Sequence, residues 1–386
     1  MKTHLLNRLV CPLDKTPLEL QVWSSEDRPL SAEDAARARS MGVDPASLAT
    51  EILSGVLVNR QRKIAYPIHD GVPRMLTFRC QLAERFWMEH GDRVKKEFPG
   101  CELPDEEPRP GEADVLRTFS SEWVNFDWDG SAYWGQTPEG WFQSMRYMLD
   151  LEHHPVDNKV VLEVGIGVGG VADYMARKEG CELIGVDLGY AVDVAFKHFG
   201  GNPFLHVVQA SAFAPPFRQE SFDFVYSWGV LHHTYSTRDA FRVVSQLPKK
   251  CGRCYIWVYS PADEERTLIR RGVMALERVV RPVMWRLPER AQTVALAPLV
   301  PLYMLHQWWQ VRRGNRDFVP YGFREAIHAA RDRFTPRYVA RHTDEEICGW
   351  FREAGYQQLS CAGDQPAPEH VPVAMTACTG VGGIRT

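Results

Sequence analysis

Five apolar strand-like segments alternate with helix-like sequence after Lys159, and this alternation limits the chain to few folds. The segments read VVLEVG, ELIGVDL, FLHVVQA, FDFVYSW and RCYIWVYS. Strands that alternate with helices indicate βαβ units and a parallel sheet. Two further strands are expected at residues 357–361 and 371–378, with no helix between them, so we predict that they pair antiparallel. The sequence therefore predicts an α/β fold with a mostly parallel sheet and an antiparallel last strand.

Start and stop signals place two helices. Ser31 is followed by acids and then by an Ala/Arg-rich stretch to Arg39, which predicts a helix capped by the serine. Residues 343–346, Thr-Asp-Glu-Glu, have the spacing of a capping box, and the helix that they open should end near Gly355.

Changes in composition divide the chain into four parts. Acids and prolines are concentrated between residues 97 and 114, which indicates a linker, and the strand and helix alternation is interrupted between residues 262 and 334. The predicted parts are a small β-rich domain at 1–78, a helix and acidic Pro-rich linker at 79–118, the main α/β domain at 119–261 and 335–386, and a basic helical insert at 262–334.

Charge and cysteine content exclude some classes of protein. The formal net charge of the 386 residues is −4, so no overall basic field exists to bind nucleic acid. The nine cysteines have no disulfide spacing and no secretory signal is evident, so we expect a cytoplasmic protein with reduced thiols.

The basic insert has a charge balance of its own. Residues 266–316 contain ten arginines and two glutamates, around an apolar run of only 12 residues at 294–305. A membrane span needs about 20 residues, so this run does not cross a bilayer. The open alternatives are a lid over a pocket, a homo-oligomer contact, a solvated helical cover, and a peripheral membrane contact through Trp308 and Trp309.

A glycine-rich turn follows the first predicted strand, in the sequence EVGIGVGG. Gly165, Gly167 and Gly170 match a dinucleotide fingerprint, and Asp187 ends the second strand at the expected distance. The glycines alone do not distinguish NAD from other adenosine ligands. Glu163, two residues before the first glycine, would repel a pyrophosphate and attract a cationic or amino-bearing ligand.

The segment FDFVYSWGVLHHT at 222–234 completes a resemblance to class I S-adenosylmethionine-dependent methyltransferases, over residues 159–260 and 340–378. The resemblance implies a Rossmann-like sheet and S-adenosylmethionine as the cofactor, with S-adenosylhomocysteine as the product. It assigns the cofactor to Glu163, Gly165, Gly167, Gly169, Asp187, Leu188, Ser211, Ala212, Phe213 and Trp228. Ser211 stands where similar enzymes have an aspartate for adenine, which leaves a backbone contact at Ala212 and packing by Phe213.

Candidate catalytic residues are His232 and His233, which follow the fourth predicted strand at the carboxyl edge of the sheet. Either could act as a general base, or both could only shape the pocket. Methyl transfer is an in-line displacement that requires no metal, and none is expected. Trp123, Tyr133 and Trp134 belong to an aromatic cluster that either walls the pocket or fills the core.

The first 73 residues resemble the small zinc-ribbon-like domain known as a methyltransferase activator, through Cys11-Pro12 and the closing sequence YPIHDGVP. The family has four cysteines in two pairs. This chain keeps Cys11 and has Asp14, Asn59 and Arg62 at the other positions, so we predict that the zinc is lost.

We therefore expect a methyltransferase for a small-molecule acceptor, such as a natural-product, lipid-like or sugar compound. One alternative is a tRNA or protein methyltransferase. Against it, no Asn-Pro-Pro-Tyr sequence follows the fourth strand, and no nucleic-acid partner is expected. The other alternative is a non-catalytic scaffold that binds the cofactor.

Overall fold

A computed structural model gives the structure of the chain. It describes residues 1–124, 135–262, 268–313, 318–362, 364, 367–368 and 371–386. These form two compact units. The first unit consists of residues 1–112, 156–226 and 239–253, and the second of residues 113–155, 227–238 and 254–386.

The N-terminal part of the first unit is built on a four-stranded sheet with antiparallel neighbours, in the order β1-β2-β3-β4. The strands are β1 (Glu19–Asp27), β2 (Thr50–Asn59), β3 (Ile64–His69) and β4 (Val72–Pro73). The helices are α1 (Ala32–Ser40), α2 (Pro45–Ala49) and α3 (Gln81–Glu97). Ser31 caps α1 by accepting a hydrogen bond from the backbone N–H of Asp34, which confirms the predicted helix start.

A seven-stranded sheet has the order β10-β11-β9-β8-β5-β6-β7. Its strands are β5 (Val160–Val164), β6 (Glu182–Asp187), β7 (Leu205–Gln209), β8 (Phe222–Trp228), β9 (Pro248–Val258), β10 (Tyr356–Cys361) and β11 (Thr379–Arg385). Strands β8, β5, β6 and β7 are parallel neighbours, and β10 pairs antiparallel with β11. The predicted Rossmann-like sheet with an antiparallel last strand is confirmed.

Helices follow the strands of the larger sheet and fill the region after β9. They are α4 (Glu112–Val124), α5 (Pro138–Met148), α6 (Gly170–Lys178), α7 (Ala191–Phe199), α8 (Thr237–Val244), α9 (Leu268–Met284), α10 (Glu289–Leu296), α11 (Val300–Arg312), α12 (Phe323–Phe334), α13 (Asp344–Glu353) and α14 (Val373–Thr376). Thr343 caps α13 by accepting from the N–H of Glu346 at 3.2 Å, as its spacing predicts. Within the described residues, no helix is both long and apolar enough to cross a membrane.

The last strand is not where the sequence predicts it. Part of the expected strand 371–378 is helix α14, and the strand runs instead from Thr379 to Arg385. Pro372 directly precedes α14, and proline is well suited to a helix start. The true strand contains three glycines, which weaken a strand signal. A Cβ on Gly380 would lie 2.3 Å from the Tyr255 hydroxyl, so close packing requires glycine there.

The N-terminal sheet and the edge of the larger sheet are joined within the first unit. Arg74, just after β4, forms a parallel bridge with Gln209 of β7, and the N–H of Met75 donates to the Gln209 carbonyl at 2.8 Å. The buried carboxylate of Glu182, in β6, adds to this junction. Its Oε1 lies 3.0 Å from Nε2 of His4, and its Oε2 accepts a hydrogen bond from the Arg8 guanidinium at 2.9 Å. The N-terminal part therefore covers an edge of the sheet that carries the glycine loop.

Candidate functional site

The loop between β5 and α6 has a conformation that requires its glycines. Gly165, Gly167 and Gly169 all have left-handed φ angles, of 94°, 54° and 81°. A Cβ on Gly169 would lie 2.9 Å from the Cβ of Ala195 in α7. The loop is tied to β6, since the N–H of Gly165 donates to the carbonyl of Val186 at 2.7 Å. Free of Cβ atoms, this turn leaves room for close approach of a ligand.

Asp187, the last residue of β6, holds the same loop through its carboxylate. Oδ2 accepts a hydrogen bond from the N–H of Gly167 at 3.1 Å, and Oδ1 accepts from the N–H of Gly189 at 2.8 Å. A carboxylate has about four acceptor positions. Burial raises the pKa of Asp187, and the backbone donors partly offset this rise. The side chain thus orders the loop and keeps acceptor capacity on each oxygen.

Glu163 is a buried carboxyl group within β5. Its neighbours across the sheet are Gly185 in β6 and Tyr226 in β8. Burial raises the pKa of Glu163 to about 8, a hydrogen bond with the Tyr226 side chain opposes this rise, and the negative charge of Asp187 adds to it. Oε2 has no hydrogen-bond partner among the residues that the structure describes. An unsatisfied buried oxygen is costly, so this carboxyl suits a ligand that donates a hydrogen bond or carries positive charge.

Ser211 lies beyond the end of β7 and bonds to a carboxylate that the sequence did not point to. Its hydroxyl donates to Oε1 of Glu112, the first residue of α4, and accepts from the N–H of Phe213 at 3.0 Å. Oε2 of Glu112 accepts from the N–H of Arg109 at 2.7 Å. Both Glu112 and Ser211 are buried, and burial raises the pKa of Glu112.

Three further predicted cofactor residues lie beside these groups in the first unit. Leu188, Ala212 and Phe213 are partly exposed. The Leu188 carbonyl accepts from the side-chain amide of Gln209 at 3.0 Å, and the N–H of Ala210 donates to the Asp187 carbonyl at 2.9 Å. The ends of β6 and β7 are therefore joined next to the glycine loop.

The second unit contains the two candidate catalytic histidines, on a 3₁₀ turn after β8. Nδ1 of His233 lies 3.0 Å from the carbonyl oxygen of Tyr338. A carbonyl can only accept, so Nδ1 carries the proton and Nε2 carries the lone pair. Burial lowers the pKa of His233 to about 4.

His232 is more deeply enclosed than its neighbour. Burial holds its pKa well below the usual range, and nearby His233 lowers it further. Its ring centroid lies 4.1 Å from that of His233 and 4.1 Å from that of Tyr259. Neither ring nitrogen has a hydrogen-bond partner within the described part of the chain. At pH 7 both histidines are therefore neutral.

Aromatic residues were also predicted at the site. Trp228 stacks on Trp257 with ring centroids 4.9 Å apart. Tyr133 and Trp134 lie outside the described residues, and Trp123 is described only as part of the α4 backbone. The role predicted for these three residues stays a prediction.

Comparison with known families identifies two segments. The family described as "Methyltransferase domain" matches residues 162–256, which contain the glycine loop, Asp187 and both histidines. The chain is a methyltransferase. The family described as "Trm112p-like protein" matches residues 2–71, which confirms the predicted resemblance of the N-terminal part to a methyltransferase activator.

Solved structures similar to this methyltransferase share little sequence with it. An S-adenosylmethionine-dependent methyltransferase from Thermotoga maritima, described as a possible histamine N-methyltransferase, is 14% identical, with a TM-score of 0.36 over 64% of this chain and 94% of that one. Magnesium protoporphyrin IX methyltransferase from Synechocystis, with bound SAH, is 13% identical, with a TM-score of 0.37 over 79% and 98%. A complex of the Haloferax volcanii Trm112 methyltransferase activator and a putative methyltransferase is 13% identical, with a TM-score of 0.36 over 69% and 96%.

The cofactor of the methyltransferase is S-adenosylmethionine, and the buried groups of the first unit fit it. The ligand carries an amino group and a cationic sulfur, which suit the unpartnered oxygen of Glu163. It also carries two ribose hydroxyls, which suit the acceptor positions left on Asp187. The left-handed glycines between these carboxylates leave space that a Cβ would fill.

The N-terminal domain of the methyltransferase has hydrogen bonds where its family has zinc ligands. Cys11 Sγ lies 3.3 Å from the Tyr66 hydroxyl. Asp14 accepts from the Asn59 side chain at 3.1 Å and from the Thr16 hydroxyl at 2.6 Å, and these bonds lower the pKa of Asp14 to about 2 despite the opposing effect of burial. One thiol, one carboxylate and an amide do not fit a structural zinc site, which takes cysteine and histidine.

Proposed function

We propose that this methyltransferase acts on a small-molecule acceptor of a biosynthetic kind, such as a natural-product, lipid-like or sugar compound. The observation that carries the proposal is the burial of the histidine pair, with His232 0% and His233 6% exposed. A small molecule can be enclosed around a buried imidazole. A base in folded RNA must first leave its stack, at a cost of a few kcal/mol. The buried pair therefore favours a small acceptor over tRNA.

The cofactor assignment rests on the carboxylates and glycines of the first unit. When bound, S-adenosylmethionine supplies a methyl group on a positively charged sulfur. Asp187 accepts hydrogen bonds from the ribose hydroxyls, and Glu163 receives the amino group of the methionine part. The other assigned residues are Gly165, Gly167, Gly169, Leu188, Ala212 and Phe213. Trp228, in the second unit, is assigned on the resemblance alone.

Glu112 supplies the acid that is missing from position 211. Similar enzymes have an aspartate where this chain has Ser211. The Ser211 hydroxyl donates to the Glu112 carboxylate, so a carboxylate lies at this position although its residue comes from α4. Each Glu112 oxygen is bonded to one neutral donor and can accept another. We assign that remaining capacity to the amino group of adenine.

His233 is the general base in this proposal, and His232 positions it. The Tyr338 carbonyl fixes the ring so that Nε2 can accept a proton. Because burial lowers the pKa of His233 to about 4, the ring is neutral at pH 7. Nε2 takes the proton that the acceptor loses as its oxygen or nitrogen attacks the methyl group. His232 packs between His233 and Tyr259 and has no assigned proton transfer.

The flanking parts of the chain have roles in the same proposal. Residues 1–78 cover the sheet edge in place of a metal-bound activator domain, and residues 79–118 connect them to the catalytic domain. Residues 119–261 and 335–386 form that domain. The helices within 262–334 belong to the same unit as the histidines, and we assign them to covering the acceptor.

The test is transfer of radiolabelled methyl from S-adenosylmethionine into a cell extract that has been separated into small molecules, protein and RNA. The proposal predicts label in the small-molecule fraction. Label confined to tRNA or protein would contradict it. Purified Asp187→Ala, which should bind the cofactor at least tenfold more weakly, is the control for transfer by other enzymes of the extract.

The role of His233 is tested on the acceptor found in that assay. His233→Gln should lower kcat by about 100-fold or more, since general bases contribute roughly 10²–10⁴. Its affinity for S-adenosylhomocysteine should equal that of the wild type. Equal losses in kcat and in cofactor affinity would indicate a folding defect instead.

A further inference from the structure

Exposed apolar side chains are concentrated in the helical insert of the second unit. The described residues include twelve large hydrophobic side chains that are exposed, and nine of them lie between residues 276 and 309. The nine are Leu276, Val279, Val283, Val294, Leu302, Met304, Leu305, Trp308 and Trp309. Single exposed hydrophobics are normal on a soluble protein, whereas a concentration of them marks an interaction surface.

Helix α11 has one buried face and, opposite to it, an exposed apolar face. Val300 and Gln307 are buried on one face, and the helix packs against α12. Leu302, Leu305 and Trp309 are spaced three and four residues apart, so they share the opposite face of the helix, which is exposed. Leu305 is 60% exposed. Within the insert, only the face with Val300 and Gln307 is buried by packing.

Helix α9 repeats this arrangement. Met274 and Met284 are buried, and α9 also packs against α12. Leu276, Val279 and Val283 share one exposed face by the same three- and four-residue spacing, and Val279 is 75% exposed. Glu277, one of the two acids between 266 and 316, is buried and forms ion pairs with Arg281, Arg333 and Arg341.

Arginines accompany these exposed faces. At the end of α11, the guanidinium of Arg312 lies 4.1 Å from the Trp308 ring and that of Arg313 lies 3.4 Å from the Trp309 ring. Arg271, Arg278 and Arg286 are exposed on and after α9. The charge is complementary to an anionic surface, and it disfavours a second copy of the same basic face.

We propose that the exposed faces of α9 and α11 dock on an anionic lipid bilayer surface. A helix that lies in the membrane interface combines apolar and aromatic residues on one face with arginines or lysines beside them. Tryptophan is enriched at the level of the lipid headgroups. The apolar faces enter the outer part of the bilayer, and the arginines bind lipid phosphates. The protein lies on the bilayer and does not span it.

The test is sedimentation of the full chain with vesicles of phosphatidylcholine alone or mixed with phosphatidylserine. The protein should sediment with the phosphatidylserine vesicles, and binding should weaken as salt is raised. The variant Leu305→Asp/Trp309→Asp should bind at least tenfold more weakly, because it places charge in the apolar face. Met88→Asp, on α3, is the matched control: Met88 is 80% exposed, and its loss should leave lipid binding unchanged.

Three results would overturn the proposal. The first is no sedimentation with phosphatidylserine vesicles at low salt. The second is equal sedimentation of the wild type and Leu305→Asp/Trp309→Asp, with unchanged circular dichroism showing that the variant is folded. The third is a lipid-free dimer, detected by light scattering, that Leu305→Asp/Trp309→Asp dissociates, because the faces would then serve contact between two copies.

Discussion

Arg74→Met should lower the free energy of unfolding of the first unit far more than an ordinary surface substitution does. Arg74 is 2% exposed. Its guanidinium donates to both carboxylate oxygens of Asp193 in α7, to the His69 carbonyl at 3.2 Å and to the Gln209 side-chain oxygen at 3.4 Å. Methionine keeps most of the apolar stem and removes every one of these donors.

The expected decrease in the free energy of unfolding follows from the groups that would lose a hydrogen-bond partner. An acceptor left unsatisfied in the interior costs about 1–3 kcal/mol, and Gln209 is fully buried. Asp193 is partly exposed, so water replaces some of its lost bonds. Breaking a buried ion pair by removing one partner typically costs about 3–5 kcal/mol in total, and we expect Arg74→Met to fall in this range.

Urea denaturation followed by circular dichroism measures the change. The matched control is Arg79→Met, because Arg79 pairs with Asp105 at 3.0 Å in an exposed ion pair whose loss should cost less than about 1 kcal/mol. The same free energy of unfolding for both variants would refute the reasoning. It would mean that the hydrogen bonds of the Arg74 guanidinium do not stabilise the junction between the N-terminal domain and β7.

Three other substitutions test the site and the zinc-free domain. In the wild type, cofactor affinity should rise between pH 6 and pH 8, because the Glu163 carboxyl, with a pKa of about 8, must lose a proton to pair with the cofactor amino group. Glu163→Gln should abolish this rise. Titration calorimetry at several pH values measures it, and a flat wild-type profile would contradict the prediction. Glu112→Gln should weaken S-adenosylhomocysteine binding by about tenfold. The variant should also prefer this ligand less strongly over the analogue that has an oxo group in place of the adenine amine. If the preference is the same as in the wild type, the adenine contact is rejected. Asn59→Ala should lower the melting temperature, whereas a zinc chelator should not change that of the wild type; destabilisation by the chelator would show that a metal is bound.

The sequence predicted the central sheet because its signals are local. The strands β5 to β8 are rich in apolar residues and almost entirely buried, as is typical of parallel strands covered on both faces. The glycine loop and Thr343 also depend on the few residues around them, and both were predicted at the positions that the structure gives. Strand β11 was missed because its glycines are selected by packing against Tyr255 and Leu359 and not by strand propensity.

Contacts between distant parts of the chain could not be predicted from one sequence. Glu112 and Ser211 are 99 positions apart, and neither belongs to a pattern that requires the other. The substitution of an aspartate by Ser211 was visible, but only the fold shows a carboxylate beside it. In the same way, Asp14 and Asn59 were recognised as departures from zinc ligands, while their hydrogen bond to each other became visible in the structure.

The central claim is that the carboxylates and glycines of the first unit bind S-adenosylmethionine. Isothermal titration of the wild type with S-adenosylhomocysteine, with NAD as the competing adenosine ligand, tests it most directly. Asp187→Ala is titrated in parallel, because the variant removes the carboxylate that accepts from Gly167 and Gly189. We predict micromolar binding of S-adenosylhomocysteine alone, weakened at least tenfold in Asp187→Ala. Binding of NAD by the wild type, or unchanged affinity in the folded variant, would contradict the claim.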